Sequence, residues 1–168
     1  MRRVVYSVAM SLDGFIAGPG GEFDWIPSDP SIDWGAFMAR FDTVLMGRKT
    51  FALASGGGPD TGMPTYVFSR TLTLPPKSKA TLVRDNAAEV VAGLRAGSGK
   101  DIWLMGGGIL FRSLLDAGQV DSVEVGLVPI LLGDGLPFLP APAGRHNLTL
   151  TGSQQRASGL VRLNYGVI

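Results

Sequence analysis

The chain has 168 residues, a formal net charge of +1 and 45% hydrophobic residues, which is typical of one globular domain with a sizeable core. We therefore expect a single domain over residues 1–168. The near-neutral charge argues against nucleic acid or an anionic membrane as a partner. The chain has no cysteine and one histidine, which excludes disulfides, thiolate metal ligands and histidine-cluster metal sites, so we expect no bound metal.

The N-terminus begins with two arginines and an apolar run over residues 4–10. This run lacks the small-residue cleavage site of a secretory signal. The next apolar stretch, residues 125–132, contains Pro129 and is far shorter than the ~18 residues that span a bilayer. These features predict a cytoplasmic protein that does not enter a membrane.

Predicted strands and helices alternate along the chain. Apolar and β-branched runs predict strands at 4–9, 43–46, 65–68, 81–83, 102–105 and 120–128. Capping and glycine signals predict helices that begin near residues 29, 47, 86 and 108, the second of them ending at 56–59. The last two predicted strands, 147–153 and 160–167, have no helix between them. This order predicts an α/β fold with a mainly parallel central sheet, an antiparallel C-terminal edge and helices on both faces.

Two of the predicted helix starts have recognisable caps. Asp29 followed by Pro30 predicts an N-cap for a helix whose apolar face is formed by Trp34, Phe37, Met38 and Phe41. Asn86 and Glu89 have the spacing of a capping box.

Three predicted strands end in sequences suited to binding an anion. They end in Gly47-Arg48-Lys49-Thr50, in Ser69-Arg70 and in Gly106-Gly107-Gly108. Carboxyl ends of parallel strands meet at one rim of a sheet, and glycine-led helix starts offer free N–H groups to phosphate. Each motif alone also suits a tight turn without a ligand. Together they predict a dinucleotide, although Phe111 stands where the usual fingerprint has its third glycine.

The cationic residues of these motifs point to the kind of dinucleotide. Arg48, Lys49 and Arg70 have no acidic neighbour within their motifs, so we expect a rim without carboxylates. Guanidinium groups suit a phosphate better than a bare ribose. The pattern therefore favours NADP over NAD.

The same residues resemble the dihydrofolate reductase-like superfamily. Residues 46–51 (MGRKTF) resemble the M-G-R-x-T-[WF] motif of dihydrofolate reductases, and residues 67–70 and 104–108 resemble two of their strand ends. Residues 11–17 (SLDGFIA) and 129–135 (PILLGDG) are closer to the RibD C-terminal branch, the riboflavin-pathway reductases. The matches follow the family order from residue 4 to about 139.

This resemblance implies an NADPH-dependent reductase that passes hydride to a small planar nitrogen heterocycle of the pteridine or pyrimidine type. It would be similar to dihydrofolate reductase or to 5-amino-6-(5-phosphoribosylamino)uracil reductase. The implied cofactor site covers the 2′-phosphate, the pyrophosphate and the nicotinamide. Its residues are Ala9, Ile16, Ala17, Gly47, Arg48, Lys49, Thr50, Ser69, Arg70, Gly106, Gly107, Gly108, Ile109 and Leu110.

The catalytic acid of folate reductases has two candidates here. Residues 25–29 (WIPSD) resemble the W-x-x-P-x-D segment that carries it, one residue short, which makes Asp29 one candidate; Asp33 is the other. A plain helix cap or a first-turn acid explains either residue equally well. The alternative function is therefore a non-catalytic NADPH-binding or small-ligand module on the same fold.

Oligomeric state is the last expectation that the resemblance supplies. Relatives in the riboflavin branch pair, so we expect a homodimer. Residues 127–140 are apolar and rich in glycine and proline, which predicts a segment that covers a sheet edge.

Overall fold

The computed structural model describes residues 1–55 and 61–168. The predicted end of the second helix at residues 56–59 therefore lies outside the described residues. In chain order the elements are β1 (Val4–Ser11), β2 (Phe15–Ala17), α1 (Trp34–Met38), β3 (Phe41–Gly47), α2 (Arg48–Ser55), β4 (Thr65–Phe68), β5 (Thr81–Val83), α3 (Ala87–Ala96), β6 (Asp101–Gly106), α4 (Gly108–Asp116), β7 (Ser122–Val128), β8 (Leu136–Pro137), β9 (Leu148–Gln155) and β10 (Val161–Val167).

The central sheet has eight strands in the order β5-β4-β3-β6-β1-β7-β10-β9. All pairings from β5 to β7 are parallel, whereas β10 is antiparallel to both β7 and β9. The predicted α/β fold with an antiparallel C-terminal edge is confirmed. In the described part of the chain the edges of this sheet are β5 and β9.

The prediction that residues 127–140 cover a sheet edge is wrong. Their N-terminal part is the end of β7, inside the sheet, and β8 pairs with β2 in a separate two-stranded sheet. Within this segment, the carboxylate of Asp13 accepts hydrogen bonds from the backbone N–H groups of Leu132 and Gly133, at 3.1 and 2.7 Å. The segment therefore anchors the loop between β1 and β2.

Helices cover both faces of the sheet, as predicted. Successive residues of a strand point to opposite faces, and β3 shows the two sides. Leu45 packs in one core cluster with Val91 of α3 and Phe111 of α4. Val44 packs on the other face with Phe51 of α2.

No helix within residues 1–55 and 61–168 is long and apolar enough to cross a membrane.

The first helix is shorter than predicted, and its cap is a different residue. Asp33, not Asp29, is the N-cap of α1: its side chain accepts a hydrogen bond of 2.8 Å from the backbone N–H of Ala36. Phe41, predicted on the helix face, is the first residue of β3. A run of apolar residues at helical spacing thus continued past the end of the helix into a strand.

Asn86 occupies the N-cap position of α3, but the predicted capping box is wrong. Its backbone is left-handed (φ 56°, ψ 40°), and its side chain makes no capping hydrogen bond. Asparagine tolerates this conformation better than most residues do, so its role at the helix start is a backbone one.

Candidate functional site

A cleft of about 1560 Å³ runs along the rim formed by the carboxyl ends of the parallel strands. It is lined by residues at or near the ends of β4, β3, β6 and β1, and continues across β7 to β10. Every residue predicted for the cofactor site lines this cleft. The structure therefore brings together in one place motifs that are up to about a hundred residues apart in the sequence.

Two helices begin side by side at this rim. β3 and β6 are neighbours, with Met46 paired to Gly106, and α2 and α4 start directly after them. A Cβ atom added at Gly47 would lie 3.9 Å from the backbone nitrogen of Gly107, which shows how closely the two turns approach. Both helix N-termini open into the cleft, and their free N–H groups and dipoles favour an anion there.

Gly107 and Gly108, at the start of α4, have different surroundings. A Cβ at Gly107 would meet only the hydroxyl of Thr50, at 3.8 Å. A Cβ at Gly108 would lie 2.6 Å from the carbonyl oxygen of Pro137, so Gly108 is required by packing. The peptide bond between Gly106 and Gly107 is cis. The space for a side chain is therefore open at Gly107 and closed at Gly108.

Phe111 explains why the glycine pattern differs from the usual dinucleotide fingerprint. Its ring lies on α4 and stacks on that of Tyr6 in β1, with ring centroids 3.8 Å apart. The helix therefore packs on the sheet through two stacked rings instead of the close backbone approach that a third glycine permits.

The cationic end of the cleft also contains a carboxylate. Arg48 and Lys49 are exposed, and the side chain of Arg70 is 85% exposed, with its Nε 3.6 Å from the carboxylate of Asp85. Asp85 lines the same cleft, so the expectation of a rim without carboxylates is wrong. Because β5 lies beside β4, the residues after β5 reach the same rim.

Arg84 is a further rim residue that the sequence analysis missed. Its guanidinium donates hydrogen bonds to the carbonyl oxygens of Arg70 and Leu72, at 2.9 and 3.3 Å, and it lines the cleft. Arg84 directly follows a predicted strand. This position indicates a rim residue only when β5 is parallel to β4.

The two candidate proton donors lie outside the lining of the cleft. Asp29 is 8% exposed, and its carboxylate accepts hydrogen bonds of 2.6 Å from the hydroxyls of Ser158 and Ser31. These bonds hold the pKa of Asp29 below its usual range. Asp33 caps α1, as described above. A proton-donor role for either residue stays a prediction.

The cleft has an aromatic wall formed by α1 and β6. Trp34, Phe37 and Trp103 line it. The rings of Phe37 and Trp103 meet edge to face, with centroids 5.1 Å apart, and the Nε1 of Trp103 donates a hydrogen bond of 3.1 Å to the carbonyl oxygen of Ser7. This wall offers fixed rings to a flat ligand.

Glu124, which lines the cleft, and the two arginines bonded to it were not predicted as site residues. Glu124 is 7% exposed. It accepts hydrogen bonds from Arg40 Nη1 at 2.9 Å and from Arg162 Nη2 at 2.8 Å, both to Oε2, and its Oε1 accepts from Arg40 Nη2. Burial raises the pKa of Glu124, but hydrogen bonds from both arginines and their charges outweigh it and leave this pKa lowered. The i, i+2 alternation of β7, with Glu124 and Gly126 on one face, was the signal available in the sequence.

Comparison with known proteins identifies the family. The family model described as the RibD C-terminal domain matches residues 2–162. This chain belongs to the RibD C-terminal domain family. The chain is 35% identical over 178 residues to the uncharacterized protein YyaP of Bacillus subtilis, a match that covers 98% of this chain and 94% of YyaP.

Solved structures agree with this family assignment. A Shewanella sp. PV-4 protein described as a riboflavin biosynthesis protein is 28% identical, with a TM-score of 0.85 and 99% of each chain covered. Dihydrofolate reductase from Enterococcus faecalis, complexed with NADP(H), is 16% identical, with a TM-score of 0.69, and 98% and 96% of the two chains are covered. The fold of this chain is therefore dihydrofolate reductase-like.

Proposed function

We propose that this protein is an NADPH-dependent reductase. It transfers hydride to a small planar nitrogen heterocycle of the pteridine or pyrimidine type. The observation that supports this best is the cleft, which has two helix N-termini and cationic residues at one end and an aromatic wall in its lining. The two ends suit a phosphate-rich cofactor and a flat substrate.

The length of the cleft supports two ligands in a row. Neighbouring strands lie about 4.8 Å apart, so the path from β4 to β10 across β3, β6, β1 and β7 is about 24 Å long. The anion-binding motifs follow β3, β4 and β6, whereas Glu124 and Arg162 lie on β7 and β10, and the aromatic wall is formed by α1 and β6. β1, which carries Ala9, lies between the two halves, where a cofactor and a substrate would meet.

The residues at the first half fit NADPH. Gly47 and Gly107 leave open backbone beside two helix N-termini, which suits the pyrophosphate. Arg48, Ser69 and Arg70 lie at the rim beyond them and would hold the 2′-phosphate. When bound, NADPH supplies the hydride. The chain's own residues orient the two rings and exclude water, which is most of what this reaction requires of a protein.

One assay separates the proposed reductase from the alternative, which is a module that binds NADPH or a small ligand without turnover. The oxidation of NADPH is followed by absorbance with a panel of dihydropteridines and pyrimidines as acceptors. A reductase oxidises NADPH only when an acceptor is present, and the panel then identifies the ring type. Saturable NADPH binding without oxidation by any acceptor establishes the binding module instead.

Asparagine substitutions test the two candidate proton donors. Asn caps a helix about as well as Asp does, so Asp33→Asn keeps α1. If Asp33 or Asp29 supports protonation, its replacement by Asn lowers turnover by roughly 10²-fold. The affinity for NADPH should remain unchanged, because neither residue lines the cleft. Unchanged turnover in both variants leaves water as the proton source.

We further propose that the protein works in the cytoplasm as a homodimer. β9 is an edge strand of the sheet, and it exposes Leu148 at 41% and Leu150 at 54%. An exposed apolar edge strand is a surface that folded proteins cover. Light scattering at micromolar concentration should give about twice the 17.7 kDa mass of one chain. A mass of one chain contradicts the dimer.

A further inference from the structure

The aromatic wall depends on a helix that has no buried residue. α1 is five residues long, and none of them is buried, whereas α4 buries five of its residues against the sheet. Trp34 of α1 is 59% exposed, and Phe37 meets Trp103 of β6 edge to face. A helix this short is not stable without support from its surroundings. The position of α1 therefore depends on how the residues that flank it are held.

The segment before α1 is bound to the turn between β9 and β10. Asp29 is 8% exposed, and its Oδ2 accepts a hydrogen bond of 2.6 Å from the hydroxyl of Ser158 in that turn. Its Oδ1 accepts from the backbone N–H and the hydroxyl of Ser31, at 2.9 and 2.6 Å. Arg156, at the start of the turn, donates from Nη1 to the carbonyl oxygen of Ser31 at 2.9 Å. Asp29 and Arg156 thus join the segment to the turn in both directions.

The turn at residues 156–160 is a firm support. The backbone N–H of Arg156 donates to the carbonyl oxygen of Leu160 at 2.8 Å, and that of Gly159 donates to the carbonyl oxygen of Arg156 at 3.0 Å. Gly159 has a φ of 86°, which glycine adopts readily. A Cβ added there would lie 3.3 Å from Cγ of Pro129, so the turn also lies against the loop after β7. The segment before α1 is therefore anchored to the antiparallel end of the sheet.

The other flank of α1 is held by Arg40. Both of its terminal nitrogens donate to the carboxylate of Glu124 on β7. Its guanidinium also lies over the rings of Phe37 and Phe41, with Cζ 5.7 and 4.9 Å from their centroids. Polar contacts therefore tie both flanks of α1 to the sheet, and the two rings that α1 contributes to the wall lie between them.

The carboxylate of Asp29 is engaged outside the lining of the cleft. Its donors in the described part of the chain are Ser158 and Ser31, and neither serine lines the cleft. Because these hydrogen bonds hold the pKa of Asp29 below its usual range, the carboxyl group is ionised at neutral pH. An ionised carboxylate with these partners suits the support of a segment better than the delivery of a proton to a ligand.

We propose that Asp29 is a positioning residue, which fixes α1 through Ser158 so that the aromatic wall is formed before a flat acceptor binds. Without this link α1 leaves its position, and part of the binding energy of the acceptor is then used to bring Trp34 and Phe37 back. The affinity for the acceptor falls, and the chemical step is left intact. This inference rests on the proposed function, because the acceptor is the one that the proposed reductase reduces.

The ring of Trp103 reports the position of α1. Trp103 is held on β6, where its Nε1 donates to the carbonyl oxygen of Ser7, and the centroid of the Phe37 ring lies 5.1 Å away. The protein is labelled with 5-fluorotryptophan, so that each of its three tryptophans gives a fluorine resonance, and Trp103→Phe assigns that of Trp103. We expect Asp29→Ala to move this resonance towards its position in Phe37→Leu, where the neighbouring ring is absent.

Steady-state kinetics separate positioning from proton transfer. The oxidation of NADPH is followed with the first acceptor of the panel that the parent reduces. Asp29→Ala should raise KM for that acceptor roughly tenfold or more, with kcat within threefold of the parent and the affinity for NADPH unchanged. Asn still offers an oxygen to Ser158, so Asp29→Asn should recover most of this loss. A proton donor behaves differently, because either substitution then lowers kcat roughly 10²-fold.

Two further variants make the result specific. Ser158→Ala removes the other partner of the hydrogen bond and should raise KM at least threefold, and adding it to Asp29→Ala should raise KM no further. Asp116→Ala removes an aspartate that is bonded to His146 at 2.8 Å, outside the lining of the cleft, and should change neither KM nor the resonance of Trp103. Circular dichroism checks that each variant is folded, and Ser158→Ala carries the test if Asp29→Ala is not.

Every other outcome overturns the assignment of Asp29. These outcomes are a Trp103 resonance that stays at its parent position in Asp29→Ala and Ser158→Ala, an unchanged KM in both, and a loss of kcat shared by Asp29→Ala and Asp29→Asn. Failure of the proposed function is recognised separately, because the parent then oxidises NADPH with no acceptor of the panel. The role towards an acceptor falls with it, and the resonance of Trp103 alone decides whether Asp29 fixes α1.

Discussion

Replacing Gly107 with aspartate should weaken NADPH binding roughly a hundredfold or more, with no loss of fold. A carboxylate about 4 Å from a phosphate charge costs about 4 kcal/mol at an effective dielectric of 20. The new side chain also occupies the open space beside the two helix N-termini. Gly107 is the N-cap of α4, and aspartate is a favourable N-cap residue, so the helix start gains a side-chain cap while the anion site is lost. Calorimetric titration with NADPH measures the effect.

Two further variants make the result specific. Gly93→Asp adds the same charge on α3, outside the lining of the cleft, where a Cβ meets nothing within 4 Å, and it should bind NADPH like the parent. Gly107→Ala adds only a methyl group, so it should weaken NADPH less than Gly107→Asp. If Gly107→Asp binds NADPH with the parent's affinity, the pyrophosphate does not lie at this turn.

Replacing Arg48 with alanine should shift the cofactor preference towards NADH. A hydrogen bond to a charged group contributes about 1.5–3 kcal/mol, and each 1.4 kcal/mol is a factor of ten. Losing one such bond to the 2′-phosphate should therefore weaken NADPH roughly ten- to a hundredfold. NADH lacks this phosphate, so its affinity should barely change. Added salt should weaken NADPH in the parent because the site is exposed.

Asp85 provides the opposite variant at the same rim. Its carboxylate lies 3.6 Å from Arg70 and repels a 2′-phosphate. Asp85→Asn should therefore strengthen the binding of NADPH severalfold and leave that of NADH unchanged, in line with the small energies of exposed charge pairs.

Equal weakening of NADPH and NADH in Arg48→Ala would place Arg48 at the pyrophosphate or at the helix start. The preference for NADP would then have no support from this residue.

Most of the sheet and the cofactor half of the site follow from local sequence signals. Short β-branched runs predict strands, and each glycine-led motif follows directly after one of them. Because parallel strands bring their carboxyl ends to one rim, the motifs at Gly47, Ser69 and Gly106 are predicted to meet whatever the order of their strands in the sheet. The structure places all of them in one cleft.

The sequence-based predictions fail where the surroundings of a residue depend on pairing between segments that are distant in the sequence. Asp85 reaches the cationic rim because β5 lies beside β4, which no local pattern shows. Gly107 and Gly108 look alike in the sequence, and only the packing of Pro137 against Gly108 separates them. Arg162 approaches Glu124 through the antiparallel pairing of β10 with β7. Predicting their interaction therefore requires the register between two strands that lie more than thirty residues apart in the sequence.

The measurement that tests the proposed reductase site most directly is a calorimetric titration of the parent protein with NADPH and, separately, with NADH. The helix starts and cationic residues at the rim predict one NADPH bound per chain, at least tenfold more tightly than NADH, with an affinity that falls as salt is added. No binding of NADPH, or equal affinity for the two dinucleotides with no dependence on salt, would contradict it.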